Sequence, residues 1–209
     1  IGQAIPVLSS PILTRIYSPE DFGRFALFVG VASILIASIS GRLEVAILLQ
    51  KNSINRLNIA FLSLVVSGGA VVFLTIIVLL FSEEIDRVNG VFLSIFPWAV
   101  ASALFTITAA VVNNSLNAER EYFAISLNSV FSRGASECSK FLEFAWPLRV
   151  GGLTGGQVFG EFLTLILLIT QFKKKIGWKW EQLNVLRMKV LIQRHSNVIR
   201  YTMPFGLVA

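Results

Sequence analysis

The 209-residue chain is 55% hydrophobic, only 14% charged, and has a formal net charge of +6. Soluble domains carry about 25% charged residues. Because the apolar residues here form long runs, the composition indicates an integral membrane protein rather than a soluble domain. The single cysteine, Cys138, excludes an internal disulfide framework.

Six apolar segments are predicted to span the membrane, since a helix needs about 20 mostly apolar residues to do so. In chain order they are residues 1–16, 22–40, 57–81, 91–112, 125–146 and 153–172. The third is the clearest, because its run IAFLSLVVSGGAVVFLTIIVLLF contains no charge. Asn113 and Asn114 are expected to mark the polar end of the fourth. The chain starts and stops inside apolar runs, so we expect the protein to continue beyond both ends.

The loops between these segments predict their orientation. Residues 173–200 contain eight lysines and arginines against one acid, whereas residues 82–90 are acidic on balance. The positive-inside bias places residues 173–200 and the basic 41–56 loop in the cytoplasm, and residues 82–90 outside. Both ends of the chain are then expected in the cytoplasm. Since the basic segment adjoins a span, we expect contact with anionic lipid rather than nucleic acid.

Four charged residues interrupt the fifth segment: Arg133, Glu137, Lys140 and Glu143. At about 100° per residue they share one helical face. One charge facing mid-membrane lipid costs about 2.5–3.5 kcal/mol, so this face cannot point at hydrocarbon. Three arrangements satisfy that condition: a hydrophilic cavity facing a transported solute, a structural ion-pair network, or an amphipathic helix on the membrane surface.

Ion pairs are predicted within and beyond this segment. Arg133 with Glu137, and Lys140 with Glu143, have spacings that allow partial neutralisation. The sixth segment carries Glu161 near its middle. Because the fifth and sixth segments run antiparallel across a short turn, Glu161 is predicted to reach Arg133 or Lys140.

Small residues predict how the sixth segment packs. Gly152, Gly156 and Gly160 recur every four residues, a spacing that lets two helix backbones approach closely. Gln157, one turn before Glu161, adds a polar lining group.

Arg15 and Arg42 end the first and second segments. They suit either of two roles: anchors that extend to the membrane interface, or cations at the mouth of a cavity that attract an anionic ligand. No nucleophile has a matching base, and His195 is the only histidine. The sequence therefore predicts no catalytic site, no metal site and no cofactor.

Three stretches carry a family resemblance. SSPILTRIYSPEDFGRFALF at 9–28, followed by GRLEVAILLQ at 41–50, resembles the N-terminal signature of bacterial polysaccharide-export membrane proteins. These are the O-antigen and capsule flippases of the multidrug/oligosaccharidyl-lipid/polysaccharide exporter superfamily. GGLTGGQVFGEF at 151–162 is similar to the glycine-rich sixth helix of that family. The resemblance covers most of residues 1–172.

The resemblance implies an all-α polytopic transmembrane bundle of two lobes that rock about a central cavity. Residues 1–200 would be the first, six-helix lobe with its basic cytoplasmic loop, and residues 201–209 would start a seventh span. The implied function is non-enzymatic: translocation of a polyprenyl-diphosphate-linked oligosaccharide to the periplasmic leaflet of the inner membrane. The implied partners are this glycolipid, membrane lipids and other polysaccharide-assembly membrane proteins.

The resemblance also implies a cationic cavity. The substrate-binding cations expected on this basis are Arg15, Arg42, Arg133 and Lys140. The family's fifth helix usually has an arginine followed by amides or small residues, and the acidic residues here depart from that pattern. This departure leaves room for carboxylates that form ion pairs or couple transport to a proton or sodium ion, namely Glu137, Glu143 and Glu161.

Two other functions remain open from the residues alone. A drug/cation antiporter of the same superfamily would have a similar fold with a small cationic cargo. A membrane-embedded polysaccharide polymerase or glycosyltransferase would usually carry a large extramembrane loop or an acidic metal motif, and neither precedes residue 173.

Overall fold

A computed structural model describes residues 4–40, 43–50, 52–145 and 152–175. Every regular element in these ranges is a helix: α1 (Ala4–Ile16), α2 (Pro19–Ser40), the short 3-10 helix η1 (Leu43–Ile47), α3 (Ser53–Leu80), α4 (Ser82–Ala118), α5 (Tyr122–Ala145) and α6 (Gly152–Lys175). The predicted all-α membrane bundle is therefore confirmed. The predictions for Arg42, Trp146, most of the basic loop and residues 201–209 lie outside the described residues.

Four helices are long and apolar enough to cross a membrane: Pro19–Ile39, Ser53–Leu80, Gly90–Ala118 and Gly152–Lys174. They correspond to the second, third, fourth and sixth predicted spans. α1 is apolar but has only 13 residues. α5 has 24 residues, but its charges separate it from the apolar four. That α1 and α5 cross the membrane stays a prediction.

The predicted loop at 82–90 is wrong, because these residues form the first turns of α4 and only Phe81 separates α3 from α4. That they face outside stays a prediction. Glu83 and Glu84 lie in the first turn of α4, where the helix dipole favours carboxylates. The acidic residues that indicated a loop in the sequence therefore stabilise the start of α4 instead. With 37 residues, α4 is about 55 Å long, so it exceeds the roughly 30 Å of hydrocarbon.

α4 is the central helix of the bundle and contacts α2, α3, α5 and α6. Its contact with α2 is built on buried Phe28, Ala99, Ala103 and Ile107. A second cluster joins η1, α3 and α4, and a third joins α4, α5 and α6. α5 packs along α6, and α1 packs on α5, so α5 lies between a short apolar helix and the main bundle.

Polar contacts tie one end of this bundle together. Arg56, near the start of α3, donates to the Ala118 carbonyl oxygen at 2.9 Å and pairs with Glu119 at 2.7 Å. Asn114 Nδ2 donates to the Glu44 carbonyl oxygen at 3.1 Å, which joins α4 to η1. These bonds hold the start of α3 and η1 against the end of α4.

The close approach of α5 and α6 depends on two glycines. A Cβ atom at Gly156 would lie 2.7 Å from Lys140 Cα and 2.8 Å from its backbone nitrogen, and a Cβ at Gly160 would overlap the Ser136 backbone. The predicted backbone packing is thus confirmed at these two positions. Gly152 differs: it starts α6 with φ of 57°, in the left-handed region that favours glycine, and its Cβ would meet only Tyr17, at 3.8 Å.

Candidate functional site

A polar cavity of about 670 Å³ lies between α1, α4, α5 and α6. α5 contributes most of its lining, from Ile125 near the start of the helix to Lys140 near its end. α4 adds Asn113, and α6 adds Gln157 and Thr164. We call it the α5 cavity.

The orientation of α5 follows its two faces. Ser136, Glu137, Ser139 and Lys140 are buried, whereas Leu142 and Phe131 on the other side are exposed, and so is Cys138. The charged face therefore turns toward the neighbouring helices and the apolar face turns away from them, as the helical periodicity predicts. The bundle buries Glu137 and Lys140 away from the surface that would contact lipid, whereas Arg133 is exposed.

Glu137 and Lys140 form a buried ion pair, with Glu137 Oε1 2.8 Å from Lys140 Nζ. Their exposed fractions are only 7% and 6%. Ser9 Oγ of α1 donates to Glu137 Oε2 at 2.5 Å. Lys140 Nζ also lies 5.1 Å from the centroid of the Phe25 ring of α2, a cation–π distance. The pair thus connects α5 to α1 and α2, and its two charges neutralise each other.

The predicted pairing within α5 is wrong: Lys140 takes Glu137, not Glu143, as its partner, and Arg133 is left out. The reason is position. Glu137 and Lys140 are buried against Ser9 of α1 and Phe25 of α2. Arg133, by contrast, is exposed and lines the α5 cavity. Among the described residues, Arg133 has no hydrogen bond or ion pair.

The predicted pairing of Glu161 with Arg133 or Lys140 is also not formed within the described ranges. Glu161 Oε1 instead accepts a hydrogen bond from Gln157 Nε2 at 2.8 Å, one turn away on the same helix. Gln157 lines the α5 cavity, whereas Glu161 does not.

The three predicted cations that the structure describes, Arg15, Arg133 and Lys140, do not all line one cavity. Arg133 and Lys140 both line the α5 cavity. Arg15 is exposed in the last turn of α1 and does not line it. Arg42 lies outside the described residues. Arg15 therefore does not contribute to the α5 cavity, and the role predicted for Arg42 stays a prediction.

A second cavity of about 540 Å³ lies at the turn between α1 and α2, where Tyr17, Asp21, Trp98 and Glu143 line it. Burial, and then the Glu143 and Asp21 carboxylates, raise the pKa of Tyr17 above its ordinary value. Its hydroxyl donates a hydrogen bond to the Lys140 carbonyl oxygen at 2.8 Å. Since Lys140 lines the first cavity and Tyr17 the second, their contact lies between the two.

Two asparagines of the α5 cavity are not explained by the charge pattern. Asn128 is only 2% exposed, and neither Nδ2 nor Oδ1 has a hydrogen-bond partner among the described residues. Asn113 Oδ1 is buried and unpartnered in the same sense. The expected helix end at Asn113 is wrong, because α4 continues to Ala118 and holds this side chain inside the bundle. An uncharged amide gives a weak sequence signal, and only the helix packing shows where it points.

The cavity offers hydroxyls, amides, one self-neutralised ion pair and one guanidinium without a partner in the described residues. Such a lining can replace the water around a polar solute and attract an anionic group. Among the described residues, no cluster of three histidine, cysteine or acidic side chains is placed to hold a metal.

A profile of the polysaccharide biosynthesis protein family matches residues 12–197, most of the chain. Searches of curated proteins and of solved structures each give no match.

Proposed function

Because the chain belongs to the polysaccharide biosynthesis protein family, we propose that it moves a polyprenyl-diphosphate-linked oligosaccharide across the bacterial inner membrane. Transport would proceed by alternating access, with this chain supplying one lobe of the transporter. The family description names polysaccharide biosynthesis as the pathway. The proposal goes further and assigns transport of the lipid-linked unit to this chain.

The physical task is to hydrate a polar head group within the bilayer. An oligosaccharide diphosphate loses its water on entering hydrocarbon, and unreplaced hydrogen bonds and charges are costly there. The α5 cavity supplies replacement groups from α4, α5 and α6. The polyprenyl tail needs no such shelter and can remain in lipid. No covalent step is required of the protein.

Arg133 carries the proposal. Arg133 lines the cavity, and its guanidinium has no hydrogen bond or ion pair among the described residues. Arginine presents several donors in a planar array that matches phosphate oxygens. Lys140 is less available, because Glu137 already neutralises it. We assign the diphosphate to Arg133, and we keep Arg15 and Arg42 as candidate cations for capture and release.

The balance of charge separates this function from a drug/cation antiporter. The lining of the α5 cavity includes two cations, Arg133 and Lys140, against one carboxylate, Glu137. A net positive cavity repels a cationic cargo and attracts an anionic one. This balance supports a diphosphate-linked substrate.

Complementation of a strain that lacks the gene tests the proposal. The full-length protein carrying Arg133→Gln should restore surface polysaccharide at least about tenfold less well than wild type, with the lipid-linked unit accumulating on the cytoplasmic side. Arg133→Lys, which keeps the charge, should retain partial function, and immunoblots of membranes should show equal amounts of all three proteins. Normal polysaccharide in the deletion strain, with altered drug sensitivity, would support the antiporter instead. Single units that reach the periplasm but stay unpolymerised would indicate a polymerase.

A further inference from the structure

Asn128 lies inside α5 with an unsatisfied amide. It is 2% exposed, and both its amide atoms lack a partner among the described residues. Native proteins leave few buried polar side-chain atoms without a hydrogen bond, so each one requires an explanation. Asn128 lines the α5 cavity, so a bound molecule there can supply both missing bonds.

The surroundings of Asn128 differ from those of the charged residues. One end of the α5 cavity holds Arg133, Glu137 and Lys140. The other end is uncharged, and its lining from three helices is Asn113, Ile125, Asn128, Ser129, Thr164 and Leu168. The cavity thus combines an ionic end with a neutral end that presents amides, hydroxyls and apolar side chains.

We propose that the neutral end is a sugar subsite, in which Asn128 and Asn113 bind the sugar that is attached directly to the diphosphate. This inference rests on the proposed function. An amide group offers two N–H donors and one carbonyl acceptor. A sugar hydroxyl or acetamido group both donates and accepts, so it can satisfy Nδ2 and Oδ1 of Asn128 together. Asn113 Oδ1 accepts a hydrogen bond from a further hydroxyl of the sugar.

The distances along α5 fit this division. Asn128 and Arg133 are five residues apart, which is a rise of about 7.5 Å and a rotation of about 140° in an α-helix, and both residues line the same cavity. The first sugar ring is bonded to the diphosphate, so its substituents lie next to the phosphate that Arg133 would hold. Ile125 and Leu168 line the same end and can contact the apolar face of the ring.

Ordered water alone is the competing occupant, because water also satisfies buried amides. The two occupants predict different behaviour. A sugar subsite makes Asn128 discriminate between lipids with and without sugar. Water-filled space gives no such discrimination.

Binding to two lipids tests the subsite. The full-length protein in nanodiscs is titrated with a polyprenyl diphosphate that carries no sugar, and separately with the lipid-linked oligosaccharide extracted from the deletion strain. Asn128→Leu, of similar size, should weaken binding of the glycolipid at least about tenfold and leave binding of the sugar-free lipid within about twofold, since a lost polar partner penalises only the ligand that used it. Arg133→Gln should weaken both.

Matched variants keep the outcome interpretable. Asn58 is a fully buried asparagine on α3, bonded to the Ile54 carbonyl oxygen and outside the cavity lining. Asn58→Leu should change neither affinity. Asn128→Ala provides a second variant if Asn128→Leu does not fold. Equal effects of the Asn128 variants on both lipids, or no effect on either, would overturn the sugar subsite while leaving the proposed transport intact. Failure of the wild-type protein to bind either lipid would overturn both.

Discussion

α3 and α5 have similar lengths, 28 and 24 residues, but their side chains suit different surroundings. From Leu57 to Leu80, α3 has no charged residue, and it exposes large side chains such as Phe73 at 65% and Leu80 at 77%. α5 carries four charges and buries two of them, Glu137 and Lys140. Lipid can surround much of α3, whereas α5 depends on α1, α2 and α6 to cover its polar face.

The difference separates two sources of stability in one bundle. An apolar helix such as α3 is stable in lipid whether or not each neighbour packs closely. A charged helix is stable there only if its partners remain in contact and its charges remain paired. Disrupting the contacts of α5 should therefore cost more than matched changes elsewhere.

The largest expected effect is that of Lys140→Met. The variant keeps an unbranched side chain but leaves the buried Glu137 carboxylate without its cation. Removing one partner of a buried ion pair costs about 3–5 kcal/mol, and unfolding of the purified full-length protein in a denaturing detergent series should show a loss of that size. The double variant Glu137→Gln with Lys140→Met should recover most of it.

An exposed ion pair supplies the matched control for Lys140→Met. Arg87 and Glu84 form a pair at 3.3 Å whose side chains are both 70% exposed. Pairs of this kind contribute about 0–1 kcal/mol, so Arg87→Gln should barely change the unfolding midpoint. Similar losses from Arg87→Gln and Lys140→Met would contradict the burial assigned to the α5 pair.

A smaller effect is expected from Gly160→Ala, which adds one methyl group at the α5–α6 contact. The new Cβ would overlap the Ser136 backbone, so the helices must separate. Overpacking of this kind costs about 1–3 kcal/mol. Gly69→Ala on α3 is the control, because nothing lies within 4 Å of the Cβ it adds. The thermal midpoint should fall for the first variant and stay nearly unchanged for the second; equal midpoints would mean that the close α5–α6 contact does not form.

The sequence predicted those features that depend on composition and period. The apolar runs predicted six spans, of which four are helices long and apolar enough to cross a membrane. The 3.6-residue period predicted which face of α5 turns inward. It also predicted close packing at Gly156 and Gly160. These are properties of a short segment or of one helix face, so they can be predicted from one sequence.

The predictions that were wrong, and the residue that was missed, depend mostly on contacts between helices. The partner of Lys140 was mispredicted because Ser9 and Phe25 come from helices far away in the sequence. Residues 82–90 were read as a loop because acidic residues suit both loops and helix starts. Asn128 was missed because an uncharged amide within a span gives no period or charge signal, and only the packing of α4 and α6 shows that it faces a cavity.

The measurement that tests the central claim most directly compares two thiols on opposite faces of α5. Cys138 lies on the exposed, apolar face, while Ser132 lines the α5 cavity. Two forms of the full-length protein are compared, each with one cysteine: one keeps Cys138, and the other carries Ser132→Cys with Cys138→Ala. Both are placed in nanodiscs and treated with a charged, membrane-impermeant methanethiosulfonate. Rapid labelling at position 132 and protection of Cys138 are predicted, because water fills the cavity and lipid covers the other face. Rapid labelling of Cys138 with protection at position 132 would contradict a hydrated space within the bundle.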